Sequence, residues 1–182
     1  MEKNLKNISK LLSLVLRHQP EFIGVTINEN GWTDVDKLIQ KLNEKGISAD
    51  IQIIETIVAE NDKKRFVFNN DKSMIRASQG HSIDVDVELE QAVPPPVLYH
   101  GTAINNVPLI LQKGLQKQSR QYVHLSDNIE TAKIVGSRHG LPIVLEIDAA
   151  VMCKDGFIFY QSANKVWLTD NVPARFLKEC IR

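Results

Sequence analysis

Arginine and histidine stand side by side in "LRHQP" (Arg17, His18), Arg65 closes the run "NDKKR", and Arg120 and His124 share the hydroxyl-rich "SRQYVHLS". A guanidinium presents forked donors that match phosphate oxygens two at a time, and imidazole exchanges protons near neutral pH. Each position also has a plain explanation. Cations suit a helix C-terminus, which is where the spacing puts Arg17 and His18. Arg65 lies at a helix-to-strand corner of the kind water usually solvates. Arg76, on a predicted hairpin strand, can face solvent, and His81 in "QGHS" can cap local backbone. His100–Gly101–Thr102 is more pointed: a strand ending there offers a ring, bare backbone and a hydroxyl at one edge. Glycine there allows close approach of a ligand to the main chain, or simply a turn beside a buried histidine.

Several chemistries are excluded by pattern. Neither a G-x-G-x-x-G nor a P-loop motif occurs, and His, Cys and acidic residues lack metal-ligand spacing. The two cysteines, Cys153 and Cys180, are too few for a disulfide framework, so a reduced, cytoplasmic protein is the expectation. "MEKNLKNISK" is too polar for a signal peptide, and no apolar run approaches membrane-spanning length. Net charge is zero over 182 residues, which argues against a surface that coats nucleic acid broadly. Residues 1–92 carry 12 Lys/Arg against 15 Asp/Glu, and residues 93–182 carry 10 against 7. An anionic ligand must therefore be held by a few focused arginines.

The elements that carry these residues fall into two halves, 1–92 and 97–182, with the stiff Pro94–Pro96 between them as the predicted connector. Ile8, Leu11, Leu12, Val15 and Leu16 mark one face of a first helix, ended near Arg17–His18 by Pro20. A second helix is predicted from a Thr33 cap to Gly46, with Val35, Leu38, Ile39 and Leu42 inward. A third runs from about Ala49 to Glu60, burying Ile51, Ile54, Ile57 and Val58. "RFVF" and "SMIRAS" flank an Asn/Asp turn as a hairpin, and three helices followed by a hairpin is the order of a winged helix. "IDVDVELEQ" alternates as an exposed strand or extended arm. In the second half "VLYHGT", "QYVHLS", "IVLEI", "FIFYQ", "VWLTD" and "FLKECI" are predicted strands. "NNVPLILQKG" and "NIETAKIVGSRHG" are predicted helices closed by Gly114 and Gly140. The predicted class is α+β.

Six blocks, "LLSLVLRHQP", "NGWTDVDKLI", "NDKKRF", "IRASQGHS", "LYHGT" and "SRQYVHLS", resemble in order and spacing the NAD-dependent RNA 2′-phosphotransferases of the KptA family. The resemblance spans nearly the whole chain. It implies a winged-helix lobe for RNA and phosphate, then an NAD-binding lobe with the ADP-ribosyltransferase fold. It places the catalytic Arg-His-Arg-Arg set on Arg17, His18, Arg65 and Arg120. It places NAD binding on His100, Gly101 and Thr102, and on His124, Leu125 and Ser126. Where many ADP-ribosyltransferases keep a glutamate, it places Val166. Arg76, His81, Arg138 and His139 receive no role. The implied reaction removes an internal 2′-phosphate from RNA, as at a tRNA splice junction, and transfers it to NAD. Products are 2′-hydroxyl RNA, nicotinamide and ADP-ribose 1″,2″-cyclic phosphate, with no metal, no membrane and no obligate protein partner. A sibling that stops after one ADP-ribosyl transfer, to a nucleic-acid end or a protein, is the alternative. A duplex-reading regulator is disfavoured, because the third helix, "ADIQIIETIVAEND", has no Lys or Arg.

Overall fold

The computed structural model describes residues 2–61, 63–138 and 140–180. The chain divides into two compact units, Met1–Glu88 and Leu89–Arg182, each mixing helices with small sheets.

In the first unit, α1 spans Glu2–Val15, and its Ile8, Leu12 and Val15, with Leu16 just beyond, are buried. The helix closes when the His18 and Gln19 N–H groups both donate to the Leu14 carbonyl. Pro20 then opens a 3-10 turn, since proline needs no donor at a helical first position. β1 is only Thr33–Asp34 and pairs antiparallel with β3. α2 runs Val35–Glu44 and α3 Ile51–Ala59. β2 (Phe66–Phe68) and β3 (Met74–Ala77) form the expected hairpin, and the sheet order is β1-β3-β2.

Two expectations are corrected here. Thr33 does not cap α2; it is buried in β1 opposite Ile75, and the neighbouring Asp34 accepts the Lys37 N–H at 2.8 Å. Asp50 caps α3 in the same way through Ile53 N–H, and such caps each contribute about 1 kcal/mol. Ile51 is 39% exposed, because it lies in the first turn of α3 at the margin of a core formed by Ile54 and Ile57. Residues 84–88 are an extended arm: Val85 and Val87 are buried, their acidic neighbours are exposed, and Asp86 N–H donates to the Glu29 carbonyl.

In the second unit, β4 (Val97–Ala103), α4 (Val107–Lys113), β5 (Leu115–Gln116), β6 (Val123–Leu125) and α5 (Ile129–Gly136) come first. β7 (Pro142–Asp148), α6 (Ala149–Lys154), β8 (Tyr160–Gln161), β9 (Trp167–Thr169), β10 (Asn171–Val172) and β11 (Leu177–Cys180) follow. β4 pairs with β7 along its whole length, giving the sheet β11-β7-β4, beside a second sheet β6-β9-β8. Tyr99 and Ser126 exchange both backbone hydrogen bonds, at 2.7 and 2.9 Å, and so tie β4 to the residue after β6. Leu98, Leu145, Ile147 and Phe159 belong to the core of this unit, and Leu168 is also buried.

The prolines are not the seam. Ala92 N–H donates to the Phe159 carbonyl, and the Pro96 carbonyl accepts Ala150 N–H, so residues 92–96 are built into the second unit. "FIFYQ" pairs only at Tyr160–Gln161, and α5 ends at Gly136 rather than running to Gly140. β11 ends at Cys180; Ile181 lies outside the described residues.

Candidate active site

Within the first unit, the end of α1 gathers a cationic neighbourhood. His81 is 1% exposed, and neither ring nitrogen has a hydrogen-bond partner among the described residues. Burial first, then the positive charges of Arg17, His18 and Arg76, lower its pKa to about 4. Those causes place Arg17 and His18 close to His81 and bring in Arg76, whose guanidinium lies 4.4 Å from the Trp32 ring centre and donates to the Asn30 carbonyl. Arg76 also pairs with Glu88 at 3.2 Å, so it is held against the protein rather than left facing water. Together with Trp32, Phe68 and Asn69 it lines an open groove of about 520 Å3 on the hairpin. His18 Nδ1 is 2.8 Å from Ser82 Oγ. Arg65 Nη1 donates to Asn61 Oδ1 at 3.2 Å, and the Arg65 carbonyl accepts Ser78 N–H.

Because His81 is buried neutral, the unfolded chain takes up a proton near pH 6.5 that the folded protein refuses until about pH 4. Stability from this group is thus complete above pH 6.5 and falls as pH drops through that window, by on the order of a few kcal/mol. Thermal melts of wild type and His81→Leu at pH 7 and pH 4.5 check this. The variant should match wild type at pH 7 and lose distinctly less at pH 4.5; parallel losses would contradict it.

Within the second unit, His100 Nδ1 lies 3.0 Å from the His124 carbonyl, which can only accept. The proton is therefore on Nδ1, and burial keeps the ring pKa low; the His124 hydrogen bond opposes this, and the charge of Arg120 adds to it. A neutral His100 with Nε2 as an acceptor is the result. Arg120 sits in a turn before β6, not in the strand, and donates its N–H to the Lys117 carbonyl. The residue is exposed overall, yet partial burial of its charged end, followed by the charge of Arg138, lowers its pKa. His100, Arg120 and Arg138 thus share one electrostatic neighbourhood; His139 lies outside the described residues.

The other motif residues also make contacts within the scaffold. A Cβ on Gly101 would stand 1.6 Å from the Ala132 carbonyl oxygen, so the missing side chain admits the backbone of α5. Leu125 is a core residue, 3% exposed. Thr102 is buried, and its hydroxyl accepts Asn106 Nδ2–H at 3.1 Å. Ser126 Oγ accepts Asn128 N–H and donates to the Asn128 carbonyl, shaping the turn into α5, whose cap is Asn128. His124 contributes its carbonyl to His100. Val166 lies in a tight turn closed by Ser162, and no carboxylate occupies that position. Ser82 escaped the sequence reading; the available signal was a hydroxyl directly after His81 in "QGHS".

The residues fit a sugar-phosphate ligand. A neutral imidazole acceptor suits a ribose hydroxyl, and adjacent guanidiniums suit phosphate oxygens. Among the described residues, no group of His, Cys, Asp and Glu is arranged to hold a metal ion, and no helix is long and apolar enough to cross a membrane.

A family model described as RNA 2'-phosphotransferase, Tpt1 / KptA family, matches residues 3–171. A protein of Fusobacterium nucleatum named "Probable RNA 2'-phosphotransferase" is 51% identical over 179 residues, covering 98% of this chain and 99% of that protein. Proteins with the same name from Flavobacterium johnsoniae (51%, covering 98% of each chain) and Rhodopirellula baltica (52%, covering 97% and 96%) are similar over comparable lengths. The chain belongs to the RNA 2'-phosphotransferase, Tpt1 / KptA family.

Proposed function

We propose that the protein removes an internal 2′-phosphate from RNA, such as one left at a tRNA splice junction, by transferring it to NAD. RNA with a 2′-hydroxyl, nicotinamide and ADP-ribose 1″,2″-cyclic phosphate are the products. The observation that carries this reading is membership of the RNA 2'-phosphotransferase family over residues 3–171, in a chain that holds all four residues of the Arg-His-Arg-Arg set. The element order of the first unit, α1-β1-α2-α3 and a hairpin, supports a winged helix, and the small sheets of the second unit, β11-β7-β4, β6-β9-β8 and β10-β5, accord with an ADP-ribosyltransferase-like lobe.

A bound NAD supplies an electrophilic ribose carbon with a neutral leaving group, and a neighbouring ribose hydroxyl. The chain supplies charge and orientation. Arg17, Arg65 and Arg120 serve the transferred phosphate, which carries about two negative charges as a monoester. His100, fixed in its tautomer by the His124 carbonyl, accepts from a ribose hydroxyl. Thr102 and Ser126 contribute by holding the backbone that frames that ring, with Gly101 keeping α5 against β4 and Leu125 holding β6 in the core. His18 moves or donates a proton. A phosphate is already an anionic nucleophile, so a carboxylate in place of Val166 would repel it rather than activate it.

Loss of the 2′-phosphate from a 2′-phosphorylated oligoribonucleotide should require NAD and should survive EDTA. Full activity without NAD, or abolition by EDTA, contradicts the proposal.

A further inference from the structure

The segment after β3 grips the end of α1. Ser82 N–H and Ile83 N–H both donate to the Arg17 carbonyl, at 2.9 and 3.4 Å, and satisfy an acceptor that a helix end otherwise leaves orphaned. Gly80, with φ +88°, turns the chain so that the buried His81 anchors the segment. The space beside Gly31 brings that residue close enough that a Cβ there would lie 3.7 Å from His81 Nε2. At this clamp the Ser82 hydroxyl lies 2.8 Å from His18 Nδ1.

We propose that Ser82 is a positioning residue: its hydroxyl holds the Nδ1 side of the His18 imidazole, so that Nε2 is the nitrogen presented to the reacting phosphate and hydroxyl. This rests on the reading of His18 as a group that moves or donates a proton. An imidazole on a single rotatable stem swings about its own axis, and a hydrogen bond to one nitrogen selects both the ring orientation and the face of chemistry. Where Nδ1–H donates to Ser82 Oγ, Nε2 of the neutral ring is a base; where the Ser82 hydroxyl donates to Nδ1, or the ring is charged, Nε2–H is a donor. The backbone bonds to the Arg17 carbonyl do not involve the hydroxyl, so removing it leaves the clamp in place.

The test uses the full chain with Ser82→Ala, Ser82→Thr and Ser82→Cys. Ser82→Ala should lower kcat about tenfold, the scale of one orienting hydrogen bond, while KM for NAD and RNA changes less than about twofold. Ser82→Thr should recover most of the loss, and Ser82→Ala should cost nothing further in a His18→Ala background. Nitrogen NMR of the His18 ring, recorded without substrate, should show altered Nδ1 and Nε2 shifts in Ser82→Ala and restored shifts in Ser82→Thr. If Ser82→Ala fails to fold, Ser82→Cys, which keeps the size with a weaker donor, should show the same shift change and an intermediate loss. Unaltered ring shifts, or altered shifts with unchanged kcat, overturn the proposal. Should wild type show no NAD-dependent transfer, the functional reading fails by itself, and the ring shifts alone then decide whether Ser82 orients His18.

Discussion

Alanine at position 101 should destabilise the second unit by about 3 kcal/mol or more, lowering its melting temperature by roughly 10 °C or more. The added methyl would stand 1.6 Å from the Ala132 carbonyl oxygen, 2.5 Å from its carbon and 2.9 Å from the Gly136 nitrogen. All three are backbone atoms of α5, so no side chain can swing aside; the helix itself must lift from β4. Gly136 mirrors the contact, since its own Cβ would meet Thr102 O at 2.8 Å and Thr102 N at 2.9 Å. Gly46→Ala is the comparison. Nothing lies within 4 Å there, and only the backbone strain at φ +75° remains, worth about 1 kcal/mol. Calorimetry on both variants checks this. A Gly101→Ala protein that melts within 3 °C or so of wild type would contradict the packing described here.

His18→Ala, Arg65→Ala and Arg120→Ala should each slow turnover by about 10²–10³-fold, and each should let a slower-migrating RNA that carries ADP-ribose accumulate. In the proposed reaction, the first transfer begins with a nucleophile already charged and ends with a neutral leaving group, so it asks little beyond positioning. The second requires a hydroxyl to attack a crowded, anionic phosphodiester, where charge builds on the phosphoryl oxygens and a proton must be removed. Guanidiniums and an imidazole act most strongly there. Partial burial, followed by the charge of Arg138, lowers the pKa of Arg120, so an arriving anion would stabilise its charge. Gel analysis of single-turnover reactions reads both effects. If all three variants slow the whole reaction with no trapped RNA, the division of labour is wrong even where the overall reaction stands.

Apolar patterning made α1, α2, α3 and the long strands β4 and β7 legible, because each carries enough residues, and the Asn/Asp turn marked the β2–β3 hairpin. β1, β5 and β10 were not legible, since two residues have no period and their partners lie far along the chain. α6, six residues of "AAVMCK", is likewise too short to announce itself. Thr33 and Asp34 are both good capping residues; only the pairing of Thr33 with Ile75 decides between them. At the candidate site, residue types pointed to phosphate chemistry, but contacts did not show. The Ser82–His18 hydrogen bond joins residues 64 apart, and the crowding at Gly101 comes from a helix some 30 residues downstream. Local pattern carries neither.

The central claim is that the RNA phosphate leaves on NAD-derived ADP-ribose, and the fate of that phosphorus is the direct measurement. A 2′-phosphorylated oligoribonucleotide should be incubated with the protein and NAD, and the small-molecule products resolved by mass spectrometry. The account predicts one nicotinamide and one ADP-ribose cyclic phosphate for each 2′-hydroxyl RNA formed. Inorganic phosphate as the phosphorus-bearing product, or a stable ADP-ribosylated RNA as the end point for the wild-type protein, would contradict it.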